Sequence, residues 1–176
     1  MRARWVFDGT GLRAWLARRL KLQADHSGPP LRVSFGWKDG SDPFLEGQPL
    51  FRQHKGGWEW HAPLGNGRTA WVRLEQVVRR TKPDDGVHDL SGLDMTWRLH
   101  HLSAGPGYFL LGDAAALLDP ASSNGVLRAL MSGMLAADLA ARMLRGADEC
   151  SAAHAYMNWI EAIYHHQRKS LRQLYC

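Results

Sequence analysis

Residues 107–144, GYFLLGDAAALLDPASSNGVLRALMSGMLAADLAARML, constrain this chain more than any other stretch. A short apolar strand, Tyr108 to Leu111, runs into Gly112-Asp113; a loop follows, and a long helix opens near Asn124 and runs to about Leu144. The strand delivers the acid Asp113 at its C-terminal end. The loop then presents the backbone N–H groups of Asn124, Gly125 and Val126 at a helix start, where an anion or a polarised carbonyl is favoured. Asp113 has the chemistry to accept from a sugar-like hydroxyl, and Gly125 lets backbone approach a flat ring. The same residues have a plainer use, with Asp113 capping the turn after it and Ser123 or Asn124 capping the helix. The helix itself is apolar nearly all round and rich in Ala and Gly, which predicts burial, with Gly133 permitting close approach of a neighbour.

The rest of the chain divides by texture. The first twenty residues read as a strand end, a glycine turn and an amphipathic helix with Leu12, Trp15, Leu16 and Leu20 on one side. Arg18, Arg19 and Lys21 stand in its last turns, where cations suit the helix dipole, and Gly28-Pro29-Pro30 ends the unit. From residue 31 to 74 short β-type runs alternate with glycine-rich turns, and residues 57–74 form a hairpin through GNG. Residues 75–95 read as an irregular helix and a polar turn around KPDDG, TWRLHHLS as a further strand, and 151–175 as a final helix. At 176 residues and 45% apolar the chain buries an ordinary core of about one domain.

Several function classes are disfavoured. No apolar run approaches the ~18 residues of a membrane span, and no signal-peptide core is present, so a cytoplasmic location is expected. The net charge of +5 is spread over arginines among acids, with no basic stripe or nucleic-acid-binding signature. The histidines, including His100-His101 and His165-His166, lack metal-ligand spacing, so no metal is expected. Cys150 and Cys176 read as free thiols, and neither a P-loop nor a Ser-His-Asp motif is present.

The string GDAAALLDPASSNGVLRALMSG resembles the second flavin-contacting motif of the FAD-dependent monooxygenases and tryptophan halogenase-like flavoproteins with the para-hydroxybenzoate hydroxylase type of fold. The resemblance implies FAD as cofactor, with Gly112 and Asp113 at its ribityl or pyrophosphate region and the amides of Asn124, Gly125 and Val126 near the isoalloxazine. Asp119, Pro120, Ser123 and Gly125 match the family's DP-x-x-S-x-G, whose amides hold a halide in the halogenases. The N-terminal VFDGTGLRAWLARRLKL is similar to a segment found late in the same family's FAD-binding domain, which puts Asp8 and Gly11 in the cofactor-binding set. GGWEWHAPLGNGR is similar to the halogenase W-x-W-x-I-P stretch, giving Trp58, Trp60 and Pro63 as substrate- or halide-side candidates, with Ala62 where Ile is usual. Two tryptophans two apart on a strand share one face, which serves sheet packing equally well. The string DPASSNGVLRALMSGM also looks like the branch that hydroxylates a peptidyl tryptophan.

Gly9, Gly11 and Ala14 fit G-x-G-x-x-A, the opening of a dinucleotide-binding domain. A genuine opening needs a second parallel strand ending in an acid about 20 residues on; Asp25 comes too early and is followed by HSGPP. The match is therefore read as coincidental and the chain as starting within a domain. The expected fold is mixed α/β: the C-terminal portion of an FAD/NAD(P)-binding domain with an inserted antiparallel β substrate domain. The boundaries are 1–30 (late FAD-binding segment), 31–104 (β substrate-domain portion), 105–146 (flavin-contacting strand-loop-helix) and 147–176 (C-terminal helix). The implied function is part of an FAD-dependent monooxygenase or halogenase-like oxidoreductase acting on an electron-rich aromatic, either a small molecule such as an indole or a peptidyl tryptophan. A flavin reductase and a complementing N-terminal half are the implied partners, and the family's catalytic lysine lies in that half. The alternative is a non-catalytic remnant or partner subunit that needs another chain for FAD. Without the rest of a parallel sheet, YFLLGD is expected to have an unpaired edge and helix 124–144 an exposed apolar face.

Overall fold

A computed structural model describes residues 3–40, 47–65, 67–77 and 92–175. The chain forms two compact units, Met1–Ser27 with Trp97–Leu171, and Gly28–Thr96 with Arg172–Cys176.

The first unit is α/β. Strand β1 (Val6–Asp8) lies parallel to β10 (Tyr108–Leu110), with Phe7 opposite Phe109, and β9 (Ala104–Gly105) pairs antiparallel on the far side of β10. Strand β10 is thus paired on both edges, which corrects the expectation of a bare edge there; the terminal strand β1 stands in its place. A second small sheet joins β2 (Asp25–Ser27), β8 (Trp97–Leu99) and β11 (Ala116–Leu117) in the order β11-β8-β2, all antiparallel. Three helices complete the unit: α1 (Trp15–Arg19), α2 (Gly125–Leu144) and α3 (Glu149–Leu171). Helix α3 is fastened to β10 by fully buried Tyr156, whose hydroxyl donates to the Leu110 carbonyl at 2.7 Å and whose ring meets Phe109 edge-on at 4.9 Å. Such a partner is what a phenol needs in a core.

Two helix expectations are corrected. Helix α1 is only five residues long, with Leu16 buried but Trp15 and Leu20 exposed, because Ala14 at φ +39° interrupts the turn that would have made one continuous stripe. Helix α2 is not buried all round. It buries Arg128, Ser132, Ala136, Leu139, Ala140 and Met143, while Val126, Leu130 and Met134, at i, i+4 and i+8, are 77, 61 and 72% exposed. That stripe is the exposed apolar face anticipated when a sheet is incomplete. Gly133 serves no close approach either, since a Cβ there would meet Leu111 at an ordinary 4.0 Å.

The second unit is a five-stranded sheet of order β4-β5-β6-β3-β7, from β3 (Leu31–Asp39), β4 (Leu50–His54), β5 (Gly57–Gly65), β6 (Arg68–Gln76) and β7 (Leu93–Asp94). All its pairs are antiparallel, and the predicted 57–74 hairpin is β5–β6. Register puts Phe51, Trp60, Val72 and Phe35 in one row across four strands, beside Trp58, Leu74 and Val33, so the middle of one face is apolar, with Gln53 of β4 opposite Trp58 at its edge. The other face carries Arg73, Glu59 and His61, joined by contacts of 2.7 and 3.4 Å. Gly57 is obligatory: a Cβ there would fall on the Leu74 carbonyl oxygen. The helix expected from residue 75 is strand at 75–76, and residues 78–91, with the KPDDG turn, lie outside the described residues.

Candidate functional site

Two helix starts in the first unit have opposite fates. At α1, both oxygens of Asp8 are engaged: Oδ1 accepts from the Thr10 amide and hydroxyl at 2.9 and 2.6 Å, and Oδ2 from the Leu16 amide at 2.7 Å. The Thr10 hydroxyl oxygen in turn accepts from the Trp15 amide at 2.9 Å. Burial alone would raise the Asp8 pKa, but these hydrogen bonds and the Arg18 charge outweigh it and hold it below the ordinary carboxylate value. The amides of Trp15 and Leu16, at the start of α1, are thus occupied by protein acceptors. Strand β1 also pairs with a strand a hundred residues on rather than with β2, so Gly9, Gly11 and Ala14 form no dinucleotide loop. Gly11, at φ +61°, shapes the 3-10 turn Gly11–Arg13 that lets Asp8 reach back.

At α2 the chain leaves the start open. Asp119 is fully buried and its Oδ1 accepts from the Ala121 amide at 2.8 Å, capping the 3-10 turn Pro120–Ser122. Ser123 then takes a left-handed conformation, φ +53°, which turns the chain into the helix. Asn124 is the N-cap residue without a side-chain cap bond, so neither it nor Ser123 caps the helix as the plainer reading expected. Its amide has a long 3.5 Å contact to the Ser122 hydroxyl. Among the described residues the amides of Gly125, Val126 and Leu127 have no acceptor, as the first N–H groups of any helix lack one within it. A Cβ on Gly125 would find no atom within 4 Å, so the approach to these amides is open, and Val126 is exposed beside it.

Gly112 and Asp113 are held against the same helix. Gly112 has φ +52°, and a Cβ there would stand 3.0 Å from that of Ala129, so this corner closes on α2 as no larger residue would allow. Its amide donates to the Ser132 hydroxyl at 2.9 Å. Asp113 does not cap its own turn: Oδ1 accepts from Arg128 Nη2 at 2.6 Å, and among the described residues Oδ2 accepts from no protein donor. Arg128 is only 4% exposed and its Nη1 donates to Gln167 Oε1 of α3 at 3.0 Å, while its buried Nε has no acceptor among the described residues.

Arg128, Gln167 and Ser132 are absent from the sequence-based set. The signal for Arg128 was legible, since a single charge in the run GVLRALMSGMLAA needs a buried counter-charge, and Asp113 is the acid at the neighbouring strand end. Gln167 and Ser132 carried no such signal.

Trp58, Trp60 and Pro63 belong to the second unit. Trp58 is buried and stacks on Phe51 at 5.4 Å, Trp60 is half-buried on the same face, and Pro63 is exposed near the irregularity that ends β5. No helix among the described residues is long and apolar enough to cross a membrane, and no group of three His, Cys, Asp or Glu among them has a metal-holding arrangement.

No protein-family profile matches the chain. A flavin-dependent halogenase of Aspergillus niger, otaD, is 29% identical over 180 residues, which cover 81% of this chain and 38% of the halogenase. Among solved structures the flavin-dependent halogenase CmlS superposes with a TM-score of 0.79 at 21% identity, covering 97% of this chain and 36% of CmlS. The peptidyl tryptophan dihydroxylase QhpG superposes with a TM-score of 0.69 at 20% identity, covering 84% and 40%. The mixed α/β fold is therefore that of the flavin-dependent halogenases, and the chain spans well under half the length of these relatives.

Proposed function

We propose that this chain, a relative of the flavin-dependent halogenases, supplies the ring- and ribityl-facing portion of an FAD-dependent oxidoreductase. The observation that carries the reading is the open start of α2: three amides without acceptors and clear space above Gly125. These residues fit a flavin, because a flat ring needs backbone without side chains and an electron-rich ring edge needs donors. FAD, when bound, supplies two-electron redox chemistry and reaction with dioxygen. The chain's own residues bind and orient: Asp113 Oδ2 accepts from a ribityl hydroxyl, the open amides of Gly125 and Val126 donate toward the ring or a halide, with that of Asn124 joining them if it leaves its long contact to Ser122, and Pro120 and Ser123 shape the approach. Asp8 and Gly11 act indirectly, by setting the adjoining turn. An aromatic substrate of the indole or tryptophan class, with a flavin reductase as electron source, is the activity that accords with the relatives' names. Trp60 and Pro63 are the substrate-side candidates, while Trp58, buried against Phe51, serves packing.

The AMP end of FAD then falls to residues of the kind found in the remaining length of the relatives, supplied in the same or a separate polypeptide. A second reading, a partner subunit without catalysis of its own, draws on the exposed stripe Val126, Leu130 and Met134, which gives another segment a surface to cover. The test is visible absorption of the protein purified alone and together with the N-terminal portion of a relative, each incubated with FAD. Alone it should emerge colourless; with the complement it should retain flavin absorption and consume oxygen when a reductase is present. A complex that retains no flavin overturns the proposal, and one that retains flavin without oxygen consumption favours the second reading.

A further inference from the structure

Asp113 presents an electrostatic problem that the fold solves. A bare carboxylate is a sound acceptor for a sugar hydroxyl but repels a ligand that carries phosphate. In this chain the carboxylate is not bare. Arg128, the fourth residue of α2, meets it at 2.6 Å and is almost wholly buried behind it. The guanidinium cannot swing away, because its other terminal nitrogen is held by Gln167 at 3.0 Å and the corner it faces is tied to the same helix through Gly112 and Ser132 at 2.9 Å. One carboxylate oxygen is thus engaged by the cation and the other accepts from no donor among the described residues, on a side chain that is 36% exposed. A cation so near a helix start is unfavourable by itself, since it adds to the positive end of the helix dipole; the carboxylate offsets it.

Building on the flavin reading, we propose that Arg128 is a positioning and charge-compensating residue for the cofactor. It fixes which oxygen of Asp113 accepts from the ribityl chain and cancels the carboxylate's charge, so that a phosphate-bearing flavin is admitted as readily as a neutral one. The pair thereby reads the polyol without rejecting the phosphate attached to it.

The experiment uses ligands that share a ring and ribityl chain but differ in charge. Riboflavin is neutral, whereas FMN and FAD are anionic. The flavin-binding complex is titrated with each, following quenching of flavin fluorescence, for the wild type and for Arg128→Gln and Arg128→Lys. Arg128→Gln should weaken FMN and FAD about tenfold more than riboflavin, the scale of removing one nearby unit charge, and the excess loss should shrink as salt is raised. Arg128→Lys keeps the charge without the fork, so it should weaken all three alike and leave their ratio near that of the wild type. Equal losses for charged and neutral flavins in Arg128→Gln overturn the assignment alone. A wild-type complex that takes up none of the three flavins overturns the flavin reading and this assignment with it. Should Arg128→Gln fail to fold by its helical signal, the Lys variant decides: a ratio shifted against FMN and FAD despite the retained charge refutes charge compensation.

Discussion

Replacing Asp113 by Ala should destabilise the protein, although removal of a ligand-binding carboxylate commonly does the opposite. The substitution strips the counter-charge from a guanidinium that is 4% exposed, leaving it the Gln167 amide oxygen and an Nε without an acceptor. Breaking a fully buried ion pair from one side costs about 3–5 kcal/mol, whereas an exposed pair contributes roughly 0–1 kcal/mol. Arg128 belongs to the first class, but Asp113 is 36% exposed and water can partly re-solvate the cation from that side, so we expect about 2 kcal/mol. For a chain of this size that lowers the melting temperature by roughly 4–8 °C. Far-UV circular dichroism is the assay, because α2 and α3 carry most of the helical signal and both lie in the unit concerned. A double-mutant cycle isolates the pair: Arg128→Met added to Asp113→Ala should recover most of the loss, an apolar side chain having no need of the missing carboxylate. An Asp113→Ala protein that melts at or above the wild-type temperature, or a cycle in which the two losses add, would refute the reasoning.

Gly112→Ala combines a left-handed backbone with a Cβ 3.0 Å from that of Ala129, and should cost about 2–4 kcal/mol in urea unfolding. Adding Ala129→Gly should restore the part due to crowding but not the part due to φ; full restoration would show the backbone term to be absent. His100 is buried, and burial first, then the Arg98 and His26 charges, lower its pKa below 6.5 against the opposing hydrogen bond to the Gln23 carbonyl. The fold therefore favours neutral His100. Its contribution is complete above pH 6.5 and is lost as the pH falls through the lower folded value. Melting temperature should drop between pH 7 and pH 5 in the wild type and drop less in His100→Gln; parallel profiles would exclude His100 as the cause. The stripe on α2 should drive self-association of the isolated chain, so Leu130→Lys with Met134→Lys should shift its sedimentation toward monomer. An unchanged distribution would place the association elsewhere.

What could be read in advance was local. The strand ending in Gly112-Asp113, the start of α2 within a residue of Asn124 and the β5–β6 hairpin all follow from periodicity and turn chemistry confined to a few residues. The pairing of β1 with β10 had no such signal, since neither strand records in its three residues a partner a hundred positions away. Helix α2 failed differently. Its composition announces apolar surface on most sides, but whether a side is covered depends on neighbours, and among the described residues Val126, Leu130 and Met134 are left largely exposed. At the site, Asp113 was chosen for its place at a strand end, yet the partner that completes it lies on the helix and could be found only by asking where the lone charge of Arg128 goes.

The first unit is interrupted in sequence by the second, and this bears on how the chain is made. Strand β1 leaves the ribosome about a hundred residues before β10, its parallel partner, so the pairing must wait for the intervening residues and close a long loop. The intervening sheet shortens the wait. Its two ends are hydrogen-bonded to each other, Met95 N–H to the Leu31 carbonyl at 2.9 Å and Leu31 N–H to the Thr96 hydroxyl at 3.2 Å. Once folded, it reduces the effective loop between β1 and β10 to roughly a third of its length, which lowers the closure cost by about 1 kcal/mol. Vectorial synthesis thus favours an order in which the antiparallel sheet forms first and acts as a clamp, delivering residues 97–110 back to the strand that has been waiting for them.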